Sequence, residues 1–280
     1  MSRIDVMKTY KLYINGAFPR SESGRVYELK DAKGAFIANP CWASRKDLRD
    51  AVVAARAAVS GWSSATAYNR GQVLYRIAEV IQGRAAQFAD EIIAQEGLTP
   101  KQALTQVSEA IDLMVWYAGW TDKISSLAGA TNPVSGPFYN FTTPEPIGVV
   151  GAFVETKPSL ISLVGSVAAI IASGNTAVII ASEKSPLTAI TFGEVCATSD
   201  VPAGVINILT GKTPELVGWM GSHMDVDALD ASGLNSKQLT ELKIAGADNL
   251  KRVHTFTSAK KPDRILAFVE YKTVWQTVGI

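Results

Sequence analysis

Residues 145–211 read EPIGVVGAFVETKPSLISLVGSVAAIIASGNTAVIIASEKSPLTAITFGEVCATSDVPAGVINILTG. Three apolar runs of strand length lie within this stretch, at 149–154, 177–181 and 205–209, and two segments of helix length separate them. Such alternation is typical of a parallel sheet that is buried on both faces. The stretch therefore predicts a βαβαβ unit of a doubly wound α/β fold.

Two helices of this region carry N-terminal signals. Ser185 is predicted to cap the first free amides, with Pro186 at the first helical position, where no amide is needed. Thr213 and Pro214 repeat the arrangement after the third strand. A doubly wound sheet binds ligands outside the carboxyl ends of its strands, so the loops after the first two strands are the expected position of a dinucleotide, if one binds.

Composition bounds the class of protein. With 280 residues, 47% of them apolar and 19% charged, the chain can bury the core of one large or two modest domains. A net charge of +1 without a dense run of Lys or Arg removes the electrostatic basis for nucleic-acid binding. We therefore expect a globular protein with no nucleic-acid partner.

Neither a membrane span nor a disulfide or metal site is expected. The most apolar segment, 160–172, has 13 residues and is too short to cross a bilayer, and the N-terminus lacks a signal-peptide core. Cys41 and Cys196 lie far apart, without CxxC spacing or a neighbouring pair of histidines. These patterns predict a cytoplasmic protein that makes no membrane contact.

A hairpin and three helices are predicted before the sheet. Asn15 and Gly16 lie between strand-forming residues, which is a strong hairpin signal. The first helix is predicted to end at Gly61, the second to span 67–94 and the third to span 100–118. The buried stripe of the second helix is predicted to be Leu74, Ile77, Ile81, Phe88 and Ile92.

Further strands are predicted on either side of this region. Residues 138–142 alternate aromatic and polar side chains, as an exposed strand would. A fourth sheet strand is predicted over 226–231, a helix over 236–245 and a fifth strand over 252–256. The tail, 265–278, is dense in β-branched and aromatic residues and predicts one long terminal strand.

Six segments of the chain resemble the NAD(P)-dependent aldehyde dehydrogenase superfamily, in the same order as in that family. They are GWSSATAYNRGQVLYRIAEVIQGRAAQFADEI, EPIGVVGAF, SGNTAVII with SPLTA, VPAGVINILTG, SHMDVDAL and VEYKTVWQTV. No single motif is decisive, but together in register they are specific. The resemblance implies a Rossmann-like doubly wound parallel sheet with N-terminal helices and a β-strand oligomerisation flap.

The resemblance also divides the chain into parts. It implies a Rossmann-like domain over 1–137 and 144–258, and a flap over 138–143 and 264–280. In the family, a catalytic domain with the nucleophilic cysteine and the general-base glutamate lies between the last sheet strand and the final strand. Here the short link 257–264 fills that gap, which implies that the catalytic domain is absent. The pattern is most similar to the C-terminal, second aldehyde-dehydrogenase-like region of the family-16 enzymes.

Neither cysteine is expected to be a catalytic nucleophile. Aldehyde oxidation needs a thiolate, amides that hold the oxyanion, a base and a nicotinamide. Cys196 lies on a predicted helix near Phe192 and Val195, a setting typical of an inert core thiol. Cys41 precedes a helix N-terminus, where the dipole can lower a thiol pKa, but packing beside Trp42 is the simpler interpretation. No catalytic residue is assigned.

The loops after the strands depart from the family pattern. Lys157 stands where the family has the asparagine whose amide donates to the oxyanion, and we expect a solvated surface lysine there. Ile180 replaces the ribose-binding lysine of the family's Lys-Pro-x-Glu turn, whereas Glu183 keeps the carboxylate. In the Gly-Ser-Thr-Glu turn, Gly233 remains and Leu234 replaces the serine. Glu183 and Gly233 are therefore the candidate cofactor-binding residues.

The two histidines do not suggest a catalytic pair. His223 and His254 lie in separate predicted elements, so neither a histidine dyad nor a Ser/His/Asp arrangement is predicted.

Three functions are compatible with these residues. The first is a non-catalytic subunit that associates with a full-length aldehyde dehydrogenase, or with a second copy, through strands 138–143 and 265–278. The second is an NAD-binding oxidoreductase that a partner subunit completes, supported by Glu183 and opposed by Lys157, Ile180 and Leu234. The third is a module that binds NAD without reaction. We favour the first, with no cofactor required and NAD as the possible ligand.

Overall fold

The computed structural model describes residues 6–31 and 33–278. The predicted flap range also includes 279–280, which lie outside the described residues. The first elements in chain order are β1 (Leu29–Lys30), β2 (Phe36–Ala38), α1 (Arg45–Ser64), α2 (Ala67–Gly83), α3 (Ala85–Glu96), α4 (Pro100–Ala118), α5 (Ile124–Ala128), β3 (Ala130–Thr131) and β4 (Phe138–Pro146). They are followed by β5 (Val149–Phe153), α6 (Ser159–Ala172), β6 (Thr176–Ile180), α7 (Leu187–Cys196), β7 (Ile206–Leu209), α8 (Thr213–Ser222), β8 (Ala228–Asp230), α9 (Ser236–Gly246), β9 (Arg252–His254), α10 (Pro262–Leu266) and β10 (Val269–Thr277).

A five-stranded parallel sheet with the order β7-β6-β5-β8-β9 forms the centre of the fold. Val150 of β5 pairs with Ala177 on one side and with Ala228 on the other, so β5 is the central strand. Every residue of β5, β6, β7 and β8 is buried, which accounts for their continuous apolar sequences. The strand order reverses at β5, so the predicted doubly wound α/β class is confirmed.

The helix α6 is the most completely buried of the longer helices. Of its 14 residues, only Ile161 is not buried. It lies between the sheet and the pair α2 and α4, whereas α1, α8 and α9 cover the opposite face of the sheet. The sheet therefore separates two apolar cores, and the core that contains α6 is the larger one.

The first helix continues beyond its predicted end. Gly61 lies inside α1, which runs to Ser64, and the prediction that the helix ends at this glycine is wrong. Trp62 is buried, and its indole Nε1 donates to the carbonyl of Ile171 at the end of α6, 2.9 Å away. Burial of this side chain keeps the last turn helical despite the propensity of glycine to end a helix.

The predicted second helix is two helices. The chain leaves helical geometry at Arg84, with φ −113° and ψ 17°, and α3 begins at the next residue. The guanidinium of Arg84 binds Gln87 and Glu194 of α7, so a contact between distant segments accompanies the break. The predicted buried stripe is confirmed, because all of its side chains are fully buried; these are Leu74, Ile77, Ile81, Phe88 and Ile92.

The predicted side-chain caps of α7 and α8 are wrong. Pro186 is the residue before α7, and the hydroxyl of Ser185 is buried without a hydrogen-bond partner among the described residues. The amide of Leu187 donates instead to Gln95 Oε1 of α3, at 2.9 Å. Thr213 is the first residue of α8, which has no side-chain cap. The cap of α7 therefore comes from another helix.

The predicted turn at Asn15 and Gly16 is confirmed, but it does not join two long strands. Both residues have positive φ, 52° and 74°, as a tight hairpin turn requires. Ile14 and Ala17 exchange two main-chain hydrogen bonds of 3.0 Å, and this is an isolated bridge. The segment before the turn pairs with Ile208 of β7 and so extends the parallel sheet by one antiparallel contact.

The flap is a separate three-stranded sheet with the order β10-β4-β3. β10 pairs antiparallel with β4 along its whole length, from Val269 opposite Pro146 to Thr277 opposite Phe138. The strand predicted over 138–142 therefore extends further. The prediction of one strand over 265–278 is wrong in its first part, because the chain forms α10 before β10, with Pro262 at its start.

A buried ion pair fixes the point where the flap leaves the central domain. The guanidinium of Arg264 in α10 lies 2.5 Å from Asp230 Oδ2 in β8, and the side chains are 4% and 0% exposed. Ser166 of α6 donates to the same oxygen at 2.9 Å, and Ser232 donates to the other oxygen at 2.6 Å. Both carboxylate oxygens are therefore satisfied, and α10 is tied to β8 and α6.

We expect the substitution Arg264→Met to lower the free energy of unfolding by about 3–5 kcal/mol, because it leaves a buried carboxylate without its cation. The matched control is Arg76→Met, which removes an exposed ion pair with Glu79 and is expected to change stability little. Urea unfolding measures the free energy of unfolding of both variants. The double substitution Arg264→Met with Asp230→Leu should recover part of the loss, and equal midpoints for the two single variants would contradict the assignment.

Candidate functional site

A cleft of about 360 Å³ lies at the carboxyl ends of β5, β6 and β7, where a doubly wound sheet binds its ligands. The loops after β5 and β6 form one side, and the segment that includes β1 forms the other. Four lysines and four carboxylates line the cleft, so its lining has no strong excess of either charge. The lining includes Tyr27, Glu96, Lys157, Glu183 and Lys212.

The structure places Glu183 in this cleft, as predicted, but with a partner. Its Oε1 accepts a hydrogen bond of 2.5 Å from the ammonium of Lys212, and both side chains are about one-third exposed. The same ammonium lies 5.1 Å from the ring centroid of Tyr27. A ribose hydroxyl can reach the carboxylate only by sharing it with Lys212 or by displacing that lysine.

The hydroxyl of Tyr27 is buried at the cleft and has no hydrogen-bond partner among the described residues. Burial raises the pKa of this phenol, and the negative charge of Glu183 raises it further. The hydroxyl therefore stays protonated at any physiological pH and keeps a proton that no acceptor of the described residues takes. No sequence signal marked Tyr27, because it lies outside the predicted sheet.

The N-terminus of α6 is closed by side chains from other helices. Glu96 Oε1 accepts from the amide and the hydroxyl of Ser159, at 3.1 and 2.5 Å. Gln106 Oε1 accepts from the amide of Leu160 at 3.1 Å, and its amide nitrogen donates to Glu96 at 3.2 Å. A helix N-terminus can bind an anionic ligand, but here an internal carboxylate already takes that position.

The N-terminus of α7 is closed in the same way. Gln95 Oε1 accepts from the amide of Leu187, and its nitrogen donates to Ser159 and Thr188 at 3.3 and 3.2 Å. The two helices that follow β5 and β6 therefore present no free terminal amide pair to a pyrophosphate. Sequence reasoning missed these caps. The available signal was that Gln95 and Glu96 continue the buried stripe of Phe88 and Ile92 with polar side chains.

Lys157 is exposed, as predicted, and its ammonium donates to the carbonyl of Glu96. That carbonyl belongs to the last residue of α3, where the helix dipole favours a cation. Lys157 therefore stabilises the C-terminus of a helix at this position.

The remaining predicted positions lie in packed surroundings. Ile180 is 1% exposed, and Leu234 packs against the apolar core under α8 and α9. The amide of Gly233 donates to the carbonyl of Phe153 at 3.0 Å, and a Cβ at this glycine would lie 2.5 Å from that oxygen. Gly233 thus lets the loop after β8 approach the end of β5. Its predicted role in cofactor binding remains a prediction.

The other chemistry-bearing residues are not brought together. His223 Nδ1 accepts from the amide of Asp225 at the end of α8, whereas His254 in β9 stacks on Phe256, with ring centroids 6.0 Å apart. Within residues 6–31 and 33–278, no group of three or more His, Cys, Asp and Glu side chains has the arrangement of a metal site. No helix of the described chain is long and apolar enough to cross a membrane.

The aldehyde dehydrogenase family model matches residues 18–278. The chain belongs to the aldehyde dehydrogenase family. Retinal dehydrogenase 2 of Homo sapiens is 34% identical over 266 residues, which are 93% of this chain and 51% of that protein. Aldehyde dehydrogenase family 2 member B4, mitochondrial, of Arabidopsis thaliana is 34% identical over 256 residues, or 90% of this chain and 47% of the relative.

Solved structures agree with this family assignment. The NAD⁺ complex of aldehyde dehydrogenase from Bacillus cereus superposes with a TM-score of 0.82 at 28% identity. The match covers 88% of this chain and 50% of that enzyme. The chain therefore spans about half the length of the family members that it matches. The resemblance of its six motifs to this superfamily is confirmed.

Both thiols are buried. Cys196 lies in the core at the end of α7, where burial raises the pKa of the thiol, and Cys41 is 3% exposed. The predicted position of Cys196 in the core is confirmed, and Cys41 packs in the second apolar core.

We expect neither thiol to react with a charged disulfide reagent while the protein is folded, because a reactive thiol must be ionised and accessible. The reaction is measured at pH 8 from the absorbance of the coloured thiolate that the disulfide reagent releases. The same protein in 6 M guanidinium is the control and should release two equivalents, one for each cysteine of the sequence. Stoichiometric reaction of one cysteine within minutes under native conditions would identify an accessible thiolate and refute this assignment.

Proposed function

We propose that the chain is a non-catalytic aldehyde-dehydrogenase-like subunit that binds another subunit through its flap. The observation that carries this proposal is the course of the chain after β9. The link that follows β9 leads directly into α10, and Arg264 of α10 is anchored in the core on Asp230. The nucleophile and base of an aldehyde dehydrogenase therefore have no counterpart between β9 and the flap, and both cysteines are buried.

The free edge of β10 supports the partner role. β10 is hydrogen-bonded to β4 on one side and lies at the edge of its sheet, and all its residues after Val269 are exposed. Tyr271 and Trp275 are 55% and 60% exposed. A nine-residue edge strand with exposed aromatic side chains is a template for pairing with another chain.

A full-length aldehyde dehydrogenase is the partner that we propose, and a second copy of this chain is the alternative. The flap strands match the family in sequence and order, so a relative with a complete chain presents complementary strands. We further propose that the chain corresponds to the second aldehyde-dehydrogenase-like region of the family-16 enzymes. Its similarity to that region rests on the N-terminal segment KTYKLYINGAFPRSESGR, residues 8–25.

NAD binding is the second candidate function. The carboxylate of Glu183 and the unpaired buried hydroxyl of Tyr27 favour it, since both residues line the cleft at the sheet edge where this fold class binds dinucleotides. If NAD binds, Glu183 and Tyr27 would hold its ribose, and the nicotinamide would accept hydride. The Lys212 contact and the closed N-termini of α6 and α7 oppose it. An oxidoreductase of this kind would need a partner subunit to supply the nucleophile and the base.

The flap predicts an assembly that light scattering and native mass spectrometry can detect. We expect the purified chain to associate when co-expressed with a full-length aldehyde dehydrogenase from the same source. The double substitution Tyr271→Lys with Trp275→Lys should weaken the complex at least about tenfold, because aromatic anchors dominate interfaces. Tyr68→Lys with Tyr75→Lys, on the exposed face of α2, is the matched control.

A chain that stays monomeric with and without the enzyme contradicts the proposed partner role. Association with itself alone, sensitive to the flap variant and not to the control, would identify the second copy as the partner.

Calorimetric titration with NAD tests the second candidate. Under the non-catalytic proposal, we expect no heat of binding and no rise in melting temperature at about 1 mM NAD. Binding in the micromolar range that is lost in Glu183→Gln and kept in Glu109→Gln would favour the oxidoreductase instead. Glu109 is exposed on α4, outside the cleft, and its substitution removes the same charge.

A further inference from the structure

A second groove, of about 760 Å³, lies between the N-terminal end of α1 and the C-terminal end of α8. It shares no lining residue with the cleft at the carboxyl ends of β5, β6 and β7. Its volume lies in the range of small-molecule sites. The side chains that line the groove include Arg45, Lys46, Arg49, Trp219, His223 and Met224.

Cationic groups dominate one wall of the groove. Arg45, Lys46 and Arg49 line it from the first two turns of α1, and Glu22 is the one carboxylate among its lining residues. Arg45 makes no ion pair within the described chain. Lys46 lies 3.6 Å from Glu22 and the guanidinium of Arg49 lies 2.8 Å from Asp50, so the unpaired positive charge of the wall is that of Arg45. Such a wall attracts an anion.

The side chains, rather than the helix terminus, carry this attraction. The hydroxyl of Ser44 accepts from the amides of Lys46 and Asp47, at 3.2 and 3.3 Å. The carboxylate of Asp47 accepts in return from the amide of Ser44. This capping box satisfies the amides of Lys46 and Asp47, so an anion in the groove meets mainly guanidinium and ammonium groups.

His223 adds a neutral donor to the opposite wall. Its Nδ1 accepts from the amide of Asp225 at 3.2 Å, which assigns the proton of the neutral ring to Nε2. Burial lowers the pKa of this imidazole, and the charges of Lys251, Arg45 and Arg56 also lower it, against the opposing effect of Asp225. The ring therefore remains neutral at pH 7 and offers an N–H donor.

The groove also has an apolar side. Leu48 is buried at its base, Trp219 packs partly against the core beneath α8, and Met224 is 74% exposed at the rim. An exposed methionine beside a half-buried indole adapts to a flat apolar group. The groove therefore joins an apolar side to a cationic wall.

We propose that this groove binds a small organic anion that joins a flat apolar group to a carboxylate or a phosphate. Arg45 binds the anionic group, Arg49 adds a guanidinium that it shares with Asp50, and Trp219 and Met224 contact the flat group. This inference is independent of the flap and of the cofactor cleft, because the groove shares no residue with either.

The test uses four probes on the whole chain: 1-naphthoate, 1-naphthyl phosphate, 1-naphthol and inorganic phosphate. We expect calorimetry to give a dissociation constant below about 1 mM for at least one of the naphthyl anions, and at least about tenfold weaker binding of naphthol and of phosphate. Which of the two anions binds more tightly identifies the anionic group.

The substitution Arg45→Gln should weaken binding of the preferred anion roughly tenfold, because it removes a charge-assisted hydrogen bond. Lys101→Gln, an equally simple loss of charge on α4, should leave binding unchanged. Amide chemical shifts in segments 44–49 and 219–224 should move with the ligand in the wild type. Absence of binding by both anions, equal binding of naphthol, or an unchanged affinity in Arg45→Gln with unmoved amides would each overturn the proposal.

Discussion

The burial of α6 is the constraint on which the rest of this structure depends. The helix lies between the parallel sheet and the layer of α2 and α4, and almost all its side chains are inside the core. A helix placed there brings its four unpaired N-terminal amides close to the protein interior. Water has limited access to them, so other parts of the chain must supply the acceptors. Glu96 and Gln106 do so, from α3 and α4.

This solution changes what the ligand-binding edge of the sheet can offer. In an open dinucleotide fold, the helix that follows the first strand keeps its terminal amides for a phosphate. Here a carboxylate bound to those amides would also repel a phosphate at short range. Other polar groups at this edge are also engaged within the protein. Lys212 pairs with Glu183, and the amide of Gly233 donates to the carbonyl of Phe153. The groups that stabilise the fold are the groups that a cofactor would need.

Much of the architecture could be predicted from local patterns. The apolar runs that became β5, β6 and β7, the helix that begins after Thr99, and the buried stripe of Leu74, Ile77 and Ile81 all follow from periodicity. Boundaries failed where a distant contact overrode local propensity. Gly61 stayed helical because Trp62 is held by α6, and the tail formed α10. For the candidate site, the sequence predicted that Glu183 lies at the ligand-binding edge of the sheet. It did not predict the contact between Glu183 and Lys212.

The sequence by itself determined the doubly wound sheet, the family, the burial of Cys196 and the presence of flap strands, because the motifs and the periodic apolar patterns that indicate them lie within short segments. Only the tertiary structure decided which groups close α6 and α7, which cation meets Asp230, and where a second groove lies. Those hydrogen bonds join residues 63, 92 and 34 positions apart, between Glu96 and Ser159, Gln95 and Leu187, and Arg264 and Asp230. Polar pairing over such separations has no local signature, since it depends on where whole helices pack.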